Sequence, residues 1–126
     1  MKRIAVVEDN PDNRLLVLAL LDGLYECREY VSGIEALAAL DTDTPDLVLL
    51  DISLPGLDGV ETLKRIRGNS LLTHLPVVAL TAHAMSGDRE RFIAEGFDDY
   101  VTKPIVDETI LLGAIERGLR LVRTRS

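Results

Sequence analysis

The stretch Leu47-Val48-Leu49-Leu50-Asp51-Ile52-Ser53-Leu54-Pro55-Gly56-Leu57-Asp58-Gly59 decides how this chain folds. It opens with four branched apolar residues in a row. A short continuous apolar run reads as a strand buried on both faces, as in a parallel sheet covered by helices. The run ends in a carboxylate, Asp51, and passes into turn residues at Pro55 and Gly56. Asp58 and Glu61 then stand at capping-box spacing and open a helix. The unit is strand, acidic end, turn, helix.

The same order recurs on both sides of this stretch. Ile4-Ala5-Val6-Val7 ends in Glu8-Asp9, and Val77-Val78-Ala79-Leu80 ends in Thr81-Ala82. Cys27 to Val31 is more polar and is expected to form an edge strand. Asp99 to Thr102 is a fifth strand, followed by Lys103-Pro104. Helical patterns fill the gaps. Asn10 with Pro11 behind it starts one helix, since Pro is tolerated in the first turn. Its core face is expected to carry Leu16, Val17, Leu20, Leu21 and Leu24. Ser32 with Glu35 has capping-box spacing and starts another. Asp88 to Glu95 follows a Ser86 cap and stops before Gly96, a plausible C′ glycine. The last helix begins at Asp107, with Leu111, Ile115, Leu119 and Val122 along one stripe. Five alternating βα units imply a parallel sheet with helices on both faces and right-handed crossovers.

Composition agrees with a single globular domain over residues 1–126. The chain has 126 residues, 47% of them hydrophobic and 28% charged, a balance that excludes disorder. Its formal charge of −7 makes it a poor partner for nucleic acid by itself. The lone cysteine, Cys27, excludes an intrachain disulfide and a thiolate metal cage and fits a reducing compartment. It reads as a packed strand residue. The longest apolar run, Leu15 to Leu21, is far shorter than the roughly 20 residues that cross a bilayer. No signal peptide follows Met1, so a cytoplasmic protein is expected. A start at Met1 suggests an independent protein, although a domain excised from a larger one reads the same way.

In a parallel α/β sheet, ligands sit beyond the carboxyl ends of the strands. There this sequence places Glu8-Asp9, Asp51, Thr81-Ala82 and Lys103. Clustered carboxylates repel unless neutralised. Hard oxygen ligands on one rim suit a divalent cation such as magnesium. A lysine and a hydroxyl across the same site suit an anion, so the set describes a phosphoryl-binding site.

In these residues the chain resembles the receiver domain of two-component response regulators, from Lys2 to about Leu121. Thr81-Ala82-His83-Ala84-Met85 and Gly96-Phe97-Asp98-Asp99-Tyr100-Val101-Thr102-Lys103-Pro104-Ile105 look like receivers of hybrid kinases and of stand-alone regulators. The resemblance implies a doubly wound (βα)5 flavodoxin-like three-layer sandwich with strand order 2-1-3-4-5. It implies that Asp51 accepts a phosphoryl group from a phosphohistidine of a sensor histidine kinase or histidine phosphotransfer protein. It implies that Asp9, Asp51 and the backbone carbonyl of Ser53 hold Mg2+, with Glu8 acting mostly through metal-bound water. Lys103 would pair with a phosphoryl oxygen, and a cis bond to Pro104 would aim its ammonium into the site. Thr81 would move onto the phosphoryl group, with Tyr100 as an aromatic switch. That motion would alter the surface formed by the fourth helix, fifth strand and fifth helix. Ser53 and His83 are expected to tune the lifetime of the acyl phosphate. A homodimer formed on phosphorylation is also in keeping with the family.

Leu15 and Leu18 lie off the expected core face of the first helix, beside the acidic rim. They are expected to dock a phosphodonor helix bundle. Arg117, Arg120, Arg123 and Arg125 are expected to complement the dipole of the last helix rather than to bind nucleic acid. His74 should be solvated.

Two other functions share this chemistry. A metal-dependent phosphatase of the haloacid dehalogenase kind needs a second aspartate two residues after the nucleophile, where this chain has Ser53. A degenerate receiver would lack part of the set Glu8, Asp9, Asp51, Thr81 and Lys103. A flavodoxin-like cofactor domain needs a phosphate loop after the first strand, where Glu8-Asp9-Asn10 would repel phosphate.

Overall fold

The apolar runs become strands because helices cover both faces of the sheet they form. The computed structural model describes residues 1–82 and 88–125, with side chains described except at 89 and 121–125. The elements are β1 (Arg3–Val7), α1 (Pro11–Leu21), β2 (Glu26–Tyr30), α2 (Gly33–Leu40), β3 (Leu47–Asp51), α3 (Gly59–Gly68), β4 (Val77–Thr81), α4 (Asp88–Glu95), β5 (Asp99–Thr102) and α5 (Glu108–Arg125). The strands form one sheet in the order β2-β1-β3-β4-β5, and every pairing is parallel.

Side-chain alternation builds two cores from one sheet. Ala5, Val7, Val48, Leu50, Val77 and Ala79 face one side, where Ala36, Leu40, Leu63, Ile66 and Phe92 of α2, α3 and α4 cover them. Ile4, Val6, Leu47, Leu49, Val78 and Leu80 face the other, against Val17 and Leu21 of α1 and Leu111, Ala114 and Ile115 of α5. The three central strands are thus buried on both faces, and each enclosed Val, Leu or Ile contributes roughly 1.5–3 kcal/mol.

The helix starts read from sequence are capped as expected. Asn10 Oδ1 accepts from the amides of Asp12 and Asn13 at 2.9 and 3.0 Å. Ser32 Oγ accepts from Glu35 at 3.1 Å, and Asp58 Oδ1 from Glu61 at 2.9 Å. Such caps contribute about 1 kcal/mol each. Gly96 has φ +114°, where a side chain would be strained, and it ends α4 as expected. The Ser86 cap falls outside the described residues.

Three readings need correction. β2 starts one residue earlier than expected and excludes Val31, because the Glu26 amide donates to Lys2 O at 2.9 Å and brings Glu26 into register with Arg3. α5 starts at Glu108, with Asp107 just outside it accepting from the Thr109 amide.

The third concerns α1. Val17 and Leu21 are buried and Leu18 and Leu20 pack on the core, but Leu16 is 38% and Leu24 53% exposed. The inner face thus keeps Val17, Leu20 and Leu21 of the expected stripe and takes in Leu18 and the half-buried Arg14 in place of Leu16. The helix also ends at Leu21, before Leu24 could join any stripe. Among the described residues, no helix is long and apolar enough to cross a membrane.

Candidate functional site

Register brings the acidic residues together. Val7 pairs with Leu50, so the next residues, Glu8 and Asp51, stand beside each other at the carboxyl ends of β1 and β3. Asp51 pairs with Leu80, and Thr81 with Thr102, which puts Thr81 and the start of the Lys103 segment on the same rim. Carboxylate oxygens of Glu8, Asp9 and Asp51 all lie within 4.8 Å of one another. Glu8 and Asp51 are buried, at 0% and 2% exposure, and Asp9 is exposed. Like charges opposed across a ladder destabilise a sheet, and burial compounds the cost.

Lys103 relieves that repulsion. Its Nζ lies 2.9 Å from Glu8 Oε1 and 3.1 Å from Asp51 Oδ1. Its own amide donates to Thr81 O at 2.7 Å, and the Lys103–Pro104 peptide is cis, as expected. Backbone donors add to the relief: Ser53 N–H to Asp51 Oδ1 at 3.2 Å, and Asn10 N–H to Glu8 Oε2 at 3.3 Å. Burial pushes the Glu8 carboxyl from 4.5 up to about 7, helped by its hydrogen bond with Asp51 and opposed by Lys103. Burial works against the Lys103 charge, but its bonds to Glu8 and Asp51 outweigh it and hold the ammonium above its ordinary value.

One ammonium against three carboxylates leaves a deficit of positive charge that a divalent cation can fill. Among the described residues the donors are hard oxygens, without sulfur or imidazole, which is the ligand set of magnesium. The residues present therefore fit the metal.

The remaining expected residues divide. Thr81 is buried at 5% exposure on the rim. The Tyr100 ring packs against Phe92 of α4, centroids 5.6 Å apart at 54°, and is partly buried. Leu15 is 68% exposed, but Leu18 packs on the core, so the two do not form one exposed pair; Leu16 is the exposed neighbour of Leu15. His74 is exposed, and Cys27 packs on the core, where burial pushes its thiol pKa up. Arg117 was expected to serve a helix dipole. It instead pairs with the buried Asp99, Nη2 to Oδ2 at 2.9 Å. His83 and the side chains of Arg123 and Arg125 lie outside the described residues.

Several contributors escape sequence reading. Arg14 donates to the Glu8 carbonyl at 2.8 Å, and its position on the inner stripe of α1 is the only signal it leaves. Gly59 packs so closely on β3 that a Cβ would press into Asp51 O and come within 2.6 Å of Ile52 Cα. Arg67 ties α3 to the carbonyl of Gly96 and to Asp98, whose carboxylate also accepts from Val77 N–H.

Comparison with known proteins agrees with this geometry. The chain is 42% identical over 105 residues to the polar-differentiation response regulator DivK of Brucella ovis, covering 82% of this chain and 85% of that protein. It is 39% identical over 112 residues to the sensor histidine kinase GacS of Pseudomonas protegens; the match takes in 86% of this chain but spans only 12% of the kinase. Among solved structures it is similar to the receiver domain of the sensor histidine kinase PA1611 of Pseudomonas aeruginosa, which has a magnesium ion coordinated in its active-site cleft. There the TM-score is 0.84 with 34% identity, over 94% of this chain and 98% of that one. The chemotaxis protein CheY4 of Vibrio cholerae gives a TM-score of 0.84 with 27% identity, over 93% and 98% of the two chains. The family model of the response regulator receiver domain matches residues 4–116, which takes in every rim residue described above. The chain belongs to that family, the signalling receivers of two-component systems.

Proposed function

We propose that Asp51 accepts a phosphoryl group from a phosphohistidine, in a magnesium-dependent reaction, and that the phosphorylated domain changes its binding partners. The donor is a sensor histidine kinase or a histidine phosphotransfer protein. The observation that carries this reading is the Lys103 ammonium bridging Glu8 and Asp51 inside the carboxylate cluster.

Asp51 is the nucleophile. Its carboxylate oxygen bonds to phosphorus as the nitrogen–phosphorus bond breaks, and the imidazole leaves with a proton. Asp9, Asp51, the Ser53 carbonyl and, through water, Glu8 are the residues to hold magnesium, which when bound supplies positive charge against the phosphoryl oxygens. Lys103 is freed from a carboxylate oxygen to pair with a phosphoryl oxygen. The Thr81 hydroxyl turns toward the same group. Phosphorylation adds nearly two negative charges and three acceptors. Those charges bias the segment after β4 and the Tyr100 ring against Phe92, and so the α4–β5–α5 face that meets downstream partners, a second copy included. Ser53 and His83 set the lifetime of the acyl phosphate. On this reading the domain works in the cytoplasm and does not itself bind nucleic acid. It catalyses nothing beyond its own phosphorylation and slow dephosphorylation. Donor docking rests on Leu15 and its exposed neighbour Leu16, with Leu18 supporting them from inside.

Incubation with a small acyl phosphate tests the reaction. With magnesium, intact-mass measurement should show one phosphoryl adduct, absent in Asp51→Asn and absent with chelator. An unmodified parent protein, or one equally modified in Asp51→Asn, overturns the proposal.

A further inference from the structure

Glu8 and Asp9 occupy a sharp turn from strand to helix, where backbone carbonyls lose their ladder partners. A buried carbonyl needs a donor from elsewhere. Here the donor is Arg14, one turn into α1. Its Nη1 donates to Glu8 O at 2.8 Å and reaches Asp9 O at 3.5 Å. Its Nε donates to Glu29 Oε1 of β2 at 3.2 Å, so the guanidinium is itself held. The Arg14 side chain is 18% exposed, against 53% for Glu29, so the cation lies largely inside the fold. The rest of the turn is tied as well: Glu8 N–H to Tyr30 O at 3.0 Å, and Asn10 N–H to Glu8 Oε2 at 3.3 Å. The inner face of α1 departs from the purely apolar choice and keeps Arg14 inward at the expense of Leu16.

We propose that Arg14 is a positioning residue for the metal-binding carboxylates, fixing the Glu8–Asp9 turn through its backbone and braced by Glu29. The inference rests on the magnesium-site reading above. Among the described residues, the guanidinium meets the turn at its carbonyls, Glu8 O and Asp9 O, so it orients these ligands without competing for their carboxylates. Groups that orient metal ligands in this way typically change affinity by about 10- to 100-fold when removed. Charge alone predicts the reverse sign. Deleting a cation near an anionic site should tighten binding of Mg2+.

Magnesium titrations of the full chain at fixed ionic strength separate these outcomes. Parent protein that binds Mg2+, with binding lost in Asp9→Asn, establishes the site; its failure would refute the site reading, not this role alone. Given that site, Arg14→Ala should weaken Mg2+ binding about tenfold. Arg14→Lys should recover part of it, since one ammonium can reach Glu8 O but cannot also hold Glu29 as a fork does. Glu29→Gln should weaken binding less than Arg14→Ala. In metal-free protein, the Asn10 amide should exchange faster in Arg14→Ala, while the Leu49 and Leu50 amides of β3 keep their protection. Unchanged or tighter Mg2+ binding in Arg14→Ala overturns the proposal. Should that variant unfold, Arg14→Lys and Glu29→Gln with parental Mg2+ affinity overturn it equally.

Discussion

Lys103 follows β5 and Asp51 ends β3, strands that are not neighbours, yet the lysine Nζ sits 3.1 Å from the Asp51 carboxylate. The ammonium is the positive charge that the described residues bring to the buried Glu8–Asp51 pair. The same contact stabilises the metal-free domain and stores a cation beside the proposed phosphoacceptor.

Removing that ammonium should therefore destabilise the protein. Lys103→Met leaves two buried carboxylates facing each other, a loss of about 3 kcal/mol in metal-free urea denaturation. Asp51→Asn removes one of the repelling charges while Lys103 keeps Glu8, so its metal-free stability should equal or exceed the parent's. If Lys103→Met matches the parent without metal, the pair does not carry this energy.

Acidity at Glu8 makes the metal response depend on pH. The folded carboxyl titrates at about 7 against an ordinary 4.5. A raised carboxyl pKa means that the native state keeps a proton the unfolded chain has released, so this group lowers metal-free stability as pH rises from 4.5 to about 7. A divalent cation held by these carboxylates would favour the ionised form of Glu8. The melting-temperature gain from Mg2+ should thus be larger at about pH 8 than at about pH 5.5, and the difference should shrink in Glu8→Gln. An equal gain at both values would contradict the assignment.

Gly59 should be intolerant of a side chain. In Gly59→Ala the new carbon presses on the Asp51 carbonyl and approaches Ile52 Cα to 2.6 Å, so β3 or α3 must shift. Overpacking of this kind costs about 1–3 kcal/mol, and a displaced Asp51 should also weaken Mg2+ binding. Gly68→Ala meets nothing within 4 Å and should raise stability by about 0.5 kcal/mol, measured by the same denaturation.

The Arg67–Asp98 pair lies at the opposite end of β4 from the rim, joined to Val77 N–H. Asp98→Ala takes the carboxylate from a largely buried guanidinium, which keeps its bonds to the Gly96 and Thr73 carbonyls, and removes the acceptor of the Val77 amide. It should cost about 3 kcal/mol while leaving Mg2+ affinity unchanged. A loss of affinity comparable to that of Asp9→Asn would show that the two ends of the sheet are coupled.

Much of this was legible in the sequence, for reasons that differ residue by residue. Leu47 to Leu50 could be read because a strand enclosed on both faces needs apolar residues at every position. Asn10, Ser32 and Asp58 could be read because capping is local chemistry. Glu8, Asp9, Asp51, Thr81 and Lys103 could be read because strand ends converge in any parallel sheet. The inner face of α1 could not. Leu15, Leu16 and Leu18 are equally apolar, and the inward stripe includes a polar residue, Arg14, whose partner is a backbone carbonyl. Arg117 escaped for a like reason: its partner Asp99 is remote in sequence and looked like an ordinary strand start. Gly59 lay in plain view, but only the approach of α3 to Asp51 gives its missing side chain a meaning.

Locating the phosphoryl group tests the central claim most directly. Borohydride reduces an acyl phosphate to an alcohol, which converts a phosphorylated aspartate to homoserine and marks its position for peptide sequencing. After treatment with an acyl phosphate donor and Mg2+, homoserine should appear at residue 51, and chelation of the metal should abolish it. Homoserine at another carboxylate, or at residue 51 equally with and without metal, would contradict the account.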